Sequence, residues 1–241
     1  MCEFIFLMFF CTIMGKGKNK LEKFAEFDSF ENTYDYTSDT KGKWASIFGN
    51  TNPIVLELAC GKGDYAIGLA KMNPNINYVG VDIKGNRLWK GAKICIEQGI
   101  QNVRFLRIEI DKLFEYFAKD EVSEMWITFP DPQPQKERKR LSSGRFLNVY
   151  RQVMPTTGIM NIKTDSDLFY ESSLAQVEED KLTLLENIND VYGTIPVPEF
   201  LQIQTFYEAI WLKMGKKIKY VKFILGDVKS RETKKPKELN D

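Results

Sequence analysis

Five largely apolar runs punctuate the chain: PIVLELAC (53–60), INYVGVDI (76–83), NVRFLRI (102–108), SEMWITFP (123–130) and TGIMNIKTD (157–165). Runs of this kind read as strands covered on both faces, the pattern of a parallel sheet. Between them lie segments whose apolar positions recur at helical spacing: 64–73, stopping before Pro74; 85–99, ending at Gly99; 111–118; 143–154; and 167–180. Then the order changes. LTLLENI (182–188), a proline-rich loop GTIPVPEF (193–200), a helix around 202–214 and KIKYVKFIL (217–225) close the pattern. Strand–helix alternation followed by two closing strands predicts an α/β, doubly wound, mostly parallel seven-stranded sheet with an antiparallel edge strand.

Outside this alternation the chain looks different. Residues 14–52 show no sustained period and read as an N-terminal arm with one short helix, ahead of a single domain over 53–225. Residues 226–241 form a charged tail with little apolar surface to bury. The opening MCEFIFLMFFCTIM is very apolar but shorter than the ~20 residues a membrane span needs. It carries Glu3 and lacks both a basic start and a small-residue cleavage site. The polar MGKGKNK that follows reads as a natural beginning. Residues 1–13 are therefore expected to be an upstream extension before Met14, with no membrane segment.

Charge and composition narrow the chemistry. Apolar residues at 43% and charged residues at 28% are those of a globular protein, and a net charge of +1 gives no global sign of a polyanion partner. There is no histidine, which excludes Ser-His-Asp triads, His-based proton transfer and His-ligated zinc. The cysteines, Cys2, Cys11, Cys60 and Cys95, have neither disulfide-framework nor zinc-ribbon spacing, so no metal is expected and a reducing cytoplasmic location fits.

In a doubly wound sheet, ligands bind beyond the carboxyl ends of the strands. The first such end is LELACGKGDYA, where Gly61 and Gly63 permit a sharp turn before a helix. Gly61, Gly63 and Ala66 match the dinucleotide pattern GxGxxG/A, and Asp82 closes the next strand, placed for ribose hydroxyls. That leaves a nicotinamide-dependent oxidoreductase open. Glu57, inside the first strand, is an awkward neighbour for a pyrophosphate and suits a positively charged ligand. The pattern E-x-A-x-G-x-G resembles the first motif of class I methyltransferases, with Ala59 in place of a glycine. Glu109 ends the third strand as a further acid, with Asp111 a competitor.

The stretch ITFPDPQPQKERKRL (127–141) is the most distinctive. Asp131 sits between Pro130 and Pro132, which restrict its backbone, and four basic residues follow at Lys136, Arg138, Lys139 and Arg140. Here the chain resembles the bacterial tRNA (guanine-N7-)-methyltransferases, from about Lys16 to Leu225. The resemblance rests on FPDPQP…KR, on Thr164–Asp165, and on TFYE at Thr205–Glu208. Gln133 departs from a frequent tryptophan. Gln135 stands where the family's substrate-binding lysine is expected, with Lys136 one position on to supply that charge.

The resemblance implies a Rossmann-like class I methyltransferase fold, S-adenosylmethionine as methyl donor, and N7 of the variable-loop guanine of tRNA as acceptor. It implies that Glu57, Gly61, Gly63, Asp82, Glu109 and Asp131 line the cofactor pocket, Asp131 being also the catalytic residue. Gln135, Lys136, Asp165, Thr205, Phe206, Tyr207 and Glu208 would hold the target nucleotide, Glu208 accepting from the guanine edge. Arg138, Lys139 and Arg140, with Lys16, Lys18 and Lys20 of the arm, would neutralise tRNA phosphates. The expected assembly is a monomer or homodimer. An RNA methyltransferase acting on an exocyclic amine, the oxidoreductase, and a non-catalytic RNA-binding module are the alternatives.

Overall fold

The computed structural model describes residues 20–227. The apolar opening, Lys16 and Lys18, and the tail from residue 228 lie outside the described residues. The strands are β1 (Thr33–Asp35), β2 (Ile54–Leu58), β3 (Asn77–Val81), β4 (Val103–Arg107), β5 (Glu124–Thr128), β6 (Ile159–Thr164), β7 (Thr183–Ile188) and β8 (Lys219–Ile224). The helices are α1 (Lys20–Ser29), α2 (Trp44–Phe48), α3 (Asp64–Met72), α4 (Gly85–Glu97), α5 (Leu113–Tyr116), α6 (Gly144–Tyr150), α7 (Asp167–Glu179) and α8 (Phe206–Lys213). One eight-stranded sheet runs β1-β4-β3-β2-β5-β6-β8-β7. Its antiparallel end is formed by β8, reversed between β6 and β7. Among the described residues no helix is long and apolar enough to cross a membrane.

The chain winds outward from β2 through β3 to β4, then returns to lay β5 on the other side of β2. Both neighbours of β2 are parallel to it, so the carboxyl ends of β2 and β5 leave the sheet together while their connections diverge. That is the switch point at which doubly wound sheets open a crevice. The glycine-rich turn and the Pro130–Pro132 turn emerge there side by side.

Alternation along each strand separates two cores. Ile54, Leu56 and Leu58 join Met125, Ile127, Met160 and Ile162 on one face. Val55, Tyr78, Phe105, Trp126 and Tyr220 face α3 on the other. On the same alternate positions as that second group come Glu57, Thr128 and Lys163, all buried. Near the carboxyl ends of the central strands the interior thus turns polar and charged, with Glu57, Thr128 and Lys163 on one face.

The arm corrects the expectation of seven strands and one short helix. It contributes α1, α2 and an eighth strand, β1, paired parallel to β4 from Thr33 opposite Phe105 to Asp35 opposite Arg107. Trp44 is fully buried, stacks on Phe117 at 4.9 Å and donates from Nε1 to the Tyr116 carbonyl at 3.0 Å. A three-residue strand and a five-residue helix are too short to display a period, which is why the arm looks irregular in sequence. The helix expected around 202–214 begins only at Phe206. Thr205 caps it: its hydroxyl accepts from Glu208 N at 3.2 Å, and the Glu208 carboxylate accepts from Thr205 N at 3.4 Å.

Candidate active site

The glycine-rich turn is left-handed at three positions: Ala59 (φ 54°), Gly61 (φ 59°) and Gly63 (φ 71°). At Ala59 this costs ~1–2 kcal/mol that a glycine would not incur. A side chain at Gly63 would come within 2.6 Å of the Phe105 ring, so the turn lies flat on β4 only with glycine there. Two carboxylates hold it. Asp82 accepts from Gly61 N at 2.9 Å and from Lys84 N at 2.8 Å. Glu57 accepts from Ala66 N at 2.8 Å and from the Thr128 hydroxyl at 3.0 Å.

Glu57 is 2% exposed, and its carboxylate is spent on the chain's own donors beneath the turn. Its pKa is pushed up to about 8: burial raises it most, the two hydrogen bonds partly offset that, and nearby Asp64 and Asp82 add to the rise. It borders neither of the two cavities described below. Glu57 thus braces the turn and ties β2 to β5 from beneath it.

At the end of β5, Phe129 is left-handed (φ 49°) and its N–H donates to the Lys163 carbonyl at 2.8 Å. The turn delivers Asp131 to the surface, where Oδ1 accepts from Gln133 N at 3.0 Å. Four of the polar residues that follow, Gln135, Lys136, Arg138 and Lys139, are exposed. Arg140 behaves otherwise. It is 6% exposed, donates to the Pro132 carbonyl at 3.2 Å and pairs with Glu137 at 3.1 Å. Arg140 is a tether for the loop, a correction to its expected place among phosphate-binding residues.

The last wall comes from β6 and α8. Lys163 and Glu208 form a fully buried ion pair at 2.6 Å. Lys163 also donates to the carbonyls of Leu201 and Ile203, at 2.7 and 3.1 Å, and Tyr192 donates to Glu208 at 2.9 Å. Burial lowers the Lys163 pKa and Glu208 opposes that. With both oxygens occupied and no exposure, Glu208 cannot read a base edge from this position. That expectation too is corrected, because the capping box and the ion pair turn the carboxylate inward. Phe206 and Tyr207 instead project outward, 57% and 45% exposed. Phe206 N donates to Asp64 at 3.2 Å, Lys62 Nζ lies 4.6 Å from the Phe206 ring centre, and Arg87 donates to the Tyr207 hydroxyl at 3.4 Å. These contacts join the first turn of α8 to the glycine-rich turn, to the start of α3 and to α4.

Two cavities meet here. One of about 840 Å³ is bordered by Asp131, Asp165, Tyr207 and Trp211, with Phe129 and Arg87 at its edge. A second of about 170 Å³ lies over Ala59, Cys60, Gly61 and Lys62, and against Thr128, Thr205 and Phe206. Phe129, Arg87 and Tyr207 border both. Asp131, Asp165, Gly61, Thr205, Phe206 and Tyr207 are thus brought together. Glu109 is not: it pairs with Lys112 at 3.3 Å and borders a separate depression with Ile83 and Tyr36. Phe129 opens the FPDPQP motif but was not singled out there, and Arg87 and Trp211 carry no motif, so only the fold places these three at the cavities.

The family model described as "Putative methyltransferase" matches residues 51–221. The tRNA (guanine-N(7)-)-methyltransferase of Bacteroides fragilis is 44% identical over 218 residues, spanning 87% of this chain and 86% of its own. That of Porphyromonas gingivalis is 47% identical over 189 residues, 78% of each chain. Among solved structures, the 16S rRNA methyltransferase KamB superposes with a TM-score of 0.61 at 14% identity, over 77% of this chain and 94% of its own. A variant of the 16S rRNA (adenine(1408)-N(1))-methyltransferase of Catenulisporales acidiphilia, with cosubstrate SAM, gives 0.54 at 14% identity, over 79% and 93%. At these identities the likeness is one of fold.

Proposed function

The chain belongs to the tRNA (guanine-N7-)-methyltransferase family, and from that premise we propose that it transfers a methyl group from S-adenosylmethionine to N7 of the variable-loop guanine of tRNA. The observation that carries the site assignment is the joining of the two cavities at the β2–β5 switch point, with Asp131 on the wall of the larger one. The smaller takes the donor end and the larger takes the base. A nicotinamide-dependent oxidoreductase no longer stands beside this reading.

The residues suit such a donor. α3 has no side-chain cap at Gly63, and of its first-turn N–H groups Ala66 N is taken by Glu57, which leaves those of Asp64 and Tyr65 toward the glycine-rich turn. Asp82 closes β3, and the next residue, Ile83, is 56% exposed beside Tyr36 and Glu109. An apolar wall at Ile83 with the Glu109 carboxylate at its rim fits the adenine end of an adenosine. When bound, S-adenosylmethionine supplies an electrophilic methyl on a sulfonium centre.

Guanine N7 carries a lone pair and no proton, so the attacking atom requires no general base. A chain with no histidine can therefore perform the reaction by positioning alone. Methylation leaves the base cationic, and Asp131, whose carboxylate has no cationic partner among the described residues, faces that charge as it develops. Tyr207 and Trp211 offer aromatic surface to a base taken out of its stack, offsetting an unstacking cost of a few kcal/mol. Gln135, Lys136, Arg138 and Lys139 lie on the exposed loop after Asp131, where phosphates would approach. We place the enzyme in the cytoplasm, the compartment consistent with a tRNA substrate and with the free Cys60 and Cys95.

Incubation with unmodified tRNA and methyl-labelled S-adenosylmethionine tests the reading. Nucleoside analysis should give 7-methylguanosine; label on an exocyclic nitrogen would overturn it.

A further inference from the structure

Four cations border the large cavity: Arg87, Lys216, Lys217 and Lys219. Three are neutralised by the chain's own aspartates: Lys216 by Asp165 at 2.7 Å, Lys217 by Asp190 at 3.3 Å, and Lys219 by Asp167 at 2.5 Å. Arg87 is different. Among the described residues its guanidinium meets no carboxylate, and it donates to the neutral hydroxyl of Tyr207 at 3.4 Å. The acids on the same wall divide the same way. Asp165 and Asp167 are paired with lysines, whereas Asp131 has only the Gln133 N–H. The cavity therefore presents one uncommitted positive group and one uncommitted negative group.

A nucleotide undergoing N7 methylation has the complementary distribution: a base that becomes cationic, on a backbone that is anionic. We propose that Arg87 binds the phosphodiester of the target nucleotide, with the Tyr207 hydroxyl beside it as a second donor. This rests on the reading of the site as a guanine-N7 methyltransferase. Arg87 rises from the first turn of α4, half-buried, at the junction of the two cavities. The planar guanidinium matches a phosphate with two parallel N–H donors. Tyr207 accepts from Arg87, which leaves its own O–H to donate to the same anion.

The methyl donor also carries an oxyanion, its carboxylate, so the source of the anion must be separated. The small cavity has its own cation, Lys62, which does not border the large one. Of the two cations on the small cavity, only Arg87 also reaches the large one, on whose wall Asp131 stands. That division assigns the donor carboxylate to the Lys62 side and the phosphodiester to Arg87.

The test compares the full chain with Arg87→Ala and Arg87→Lys in three measurements: tRNA binding over a salt series, S-adenosylhomocysteine binding by calorimetry, and methylation kinetics. Thermal melts of each variant accompany them. For Arg87→Ala, tRNA binding should weaken by roughly tenfold to a hundredfold. The slope of log K against log salt should fall by about 0.7–0.9, one phosphate's worth. KM for tRNA should rise more than kcat falls, and S-adenosylhomocysteine affinity should stay unchanged. Arg87→Lys should recover the salt slope and only part of the affinity, an effect no packing role would produce. Loss of S-adenosylhomocysteine affinity with tRNA binding intact would overturn the inference in favour of the donor carboxylate. An unchanged salt slope would overturn it outright. A wild-type chain that binds tRNA and yields no 7-methylguanosine defeats the reading of the reaction, while the salt series still judges Arg87.

Discussion

The turn after β5 and the first turn of α8 both help to wall the large cavity, and both carry an acid in a recognisable motif. They are built by opposite means. The β5 turn pushes its acid outward: Phe129 bends the chain, two prolines stiffen it, and Asp131 ends at the surface with one backbone partner. The α8 turn pulls its acid inward: Glu208 is bonded to Lys163, Tyr192 and Thr205 N, and that anchorage leaves Phe206 and Tyr207 exposed. One carboxylate is available for chemistry and the other is structural. A motif acid therefore has to be located before it is given a role.

The strongest way to break this contrast is at the inward acid. Lys163→Met would leave Glu208 buried without its counter-ion, and the chain should lose about 3–5 kcal/mol in thermal or denaturant unfolding. Adding Glu208→Gln should restore part of that loss. If Lys163→Met unfolded like the wild type, Glu208 would have another way to be satisfied. The outward acid should behave in reverse. Asp131→Ala should lower kcat by roughly 10²–10³ with an unchanged melting temperature.

Glu57 sharpens the comparison further, because it is an acid held nearer neutral. Its folded pKa of about 8 stands above the value of 4.5 taken for the unfolded chain. The stability it contributes is complete below about 4.5 and is lost as pH rises through about 8, by about 1.4 kcal/mol per pH unit. Between pH 6 and 8 the wild type should lose roughly 2–3 kcal/mol more than Glu57→Gln, read from denaturant midpoints at each pH. Parallel pH profiles would remove Glu57 from the list of proton-linked groups.

The smallest effect concerns the loop beyond Asp131. Arg138→Glu with Lys139→Glu should raise KM for tRNA by about tenfold and flatten its salt dependence while leaving the melting temperature alone. Arg140→Gln should do the reverse, lowering thermal stability by about 1–3 kcal/mol through the lost bonds to Pro132 and Glu137. Equal effects of the two substitutions would erase the distinction between tether and contact.

Five parallel strands were legible because buried parallel strands are written as unbroken apolar runs, and the two closing strands showed as a break in the strand–helix alternation. The two turns that border the cavities were legible as well, since glycines and prolines at strand ends mark turns. The orientation of charged side chains was not legible. Glu57 and Thr128 point at each other because β2 and β5 are neighbours in register, a relation between residues 71 positions apart. Arg140 differs from Arg138 only in the geometry of a short turn between them. Arg87 sits in an ordinary helical segment, and only the fold brings it to Tyr207, 120 positions on.

The docking of β1 on β4 bears on how this protein can be cut. A fragment begun at residue 53, where the regular pattern starts, would discard β1 and Trp44 together. The outer rim of β4 would then be an open row of amides and carbonyls, a template on which a second molecule could add its own strand. Such a fragment should precipitate on expression, whereas a chain begun before α1 keeps that seam closed.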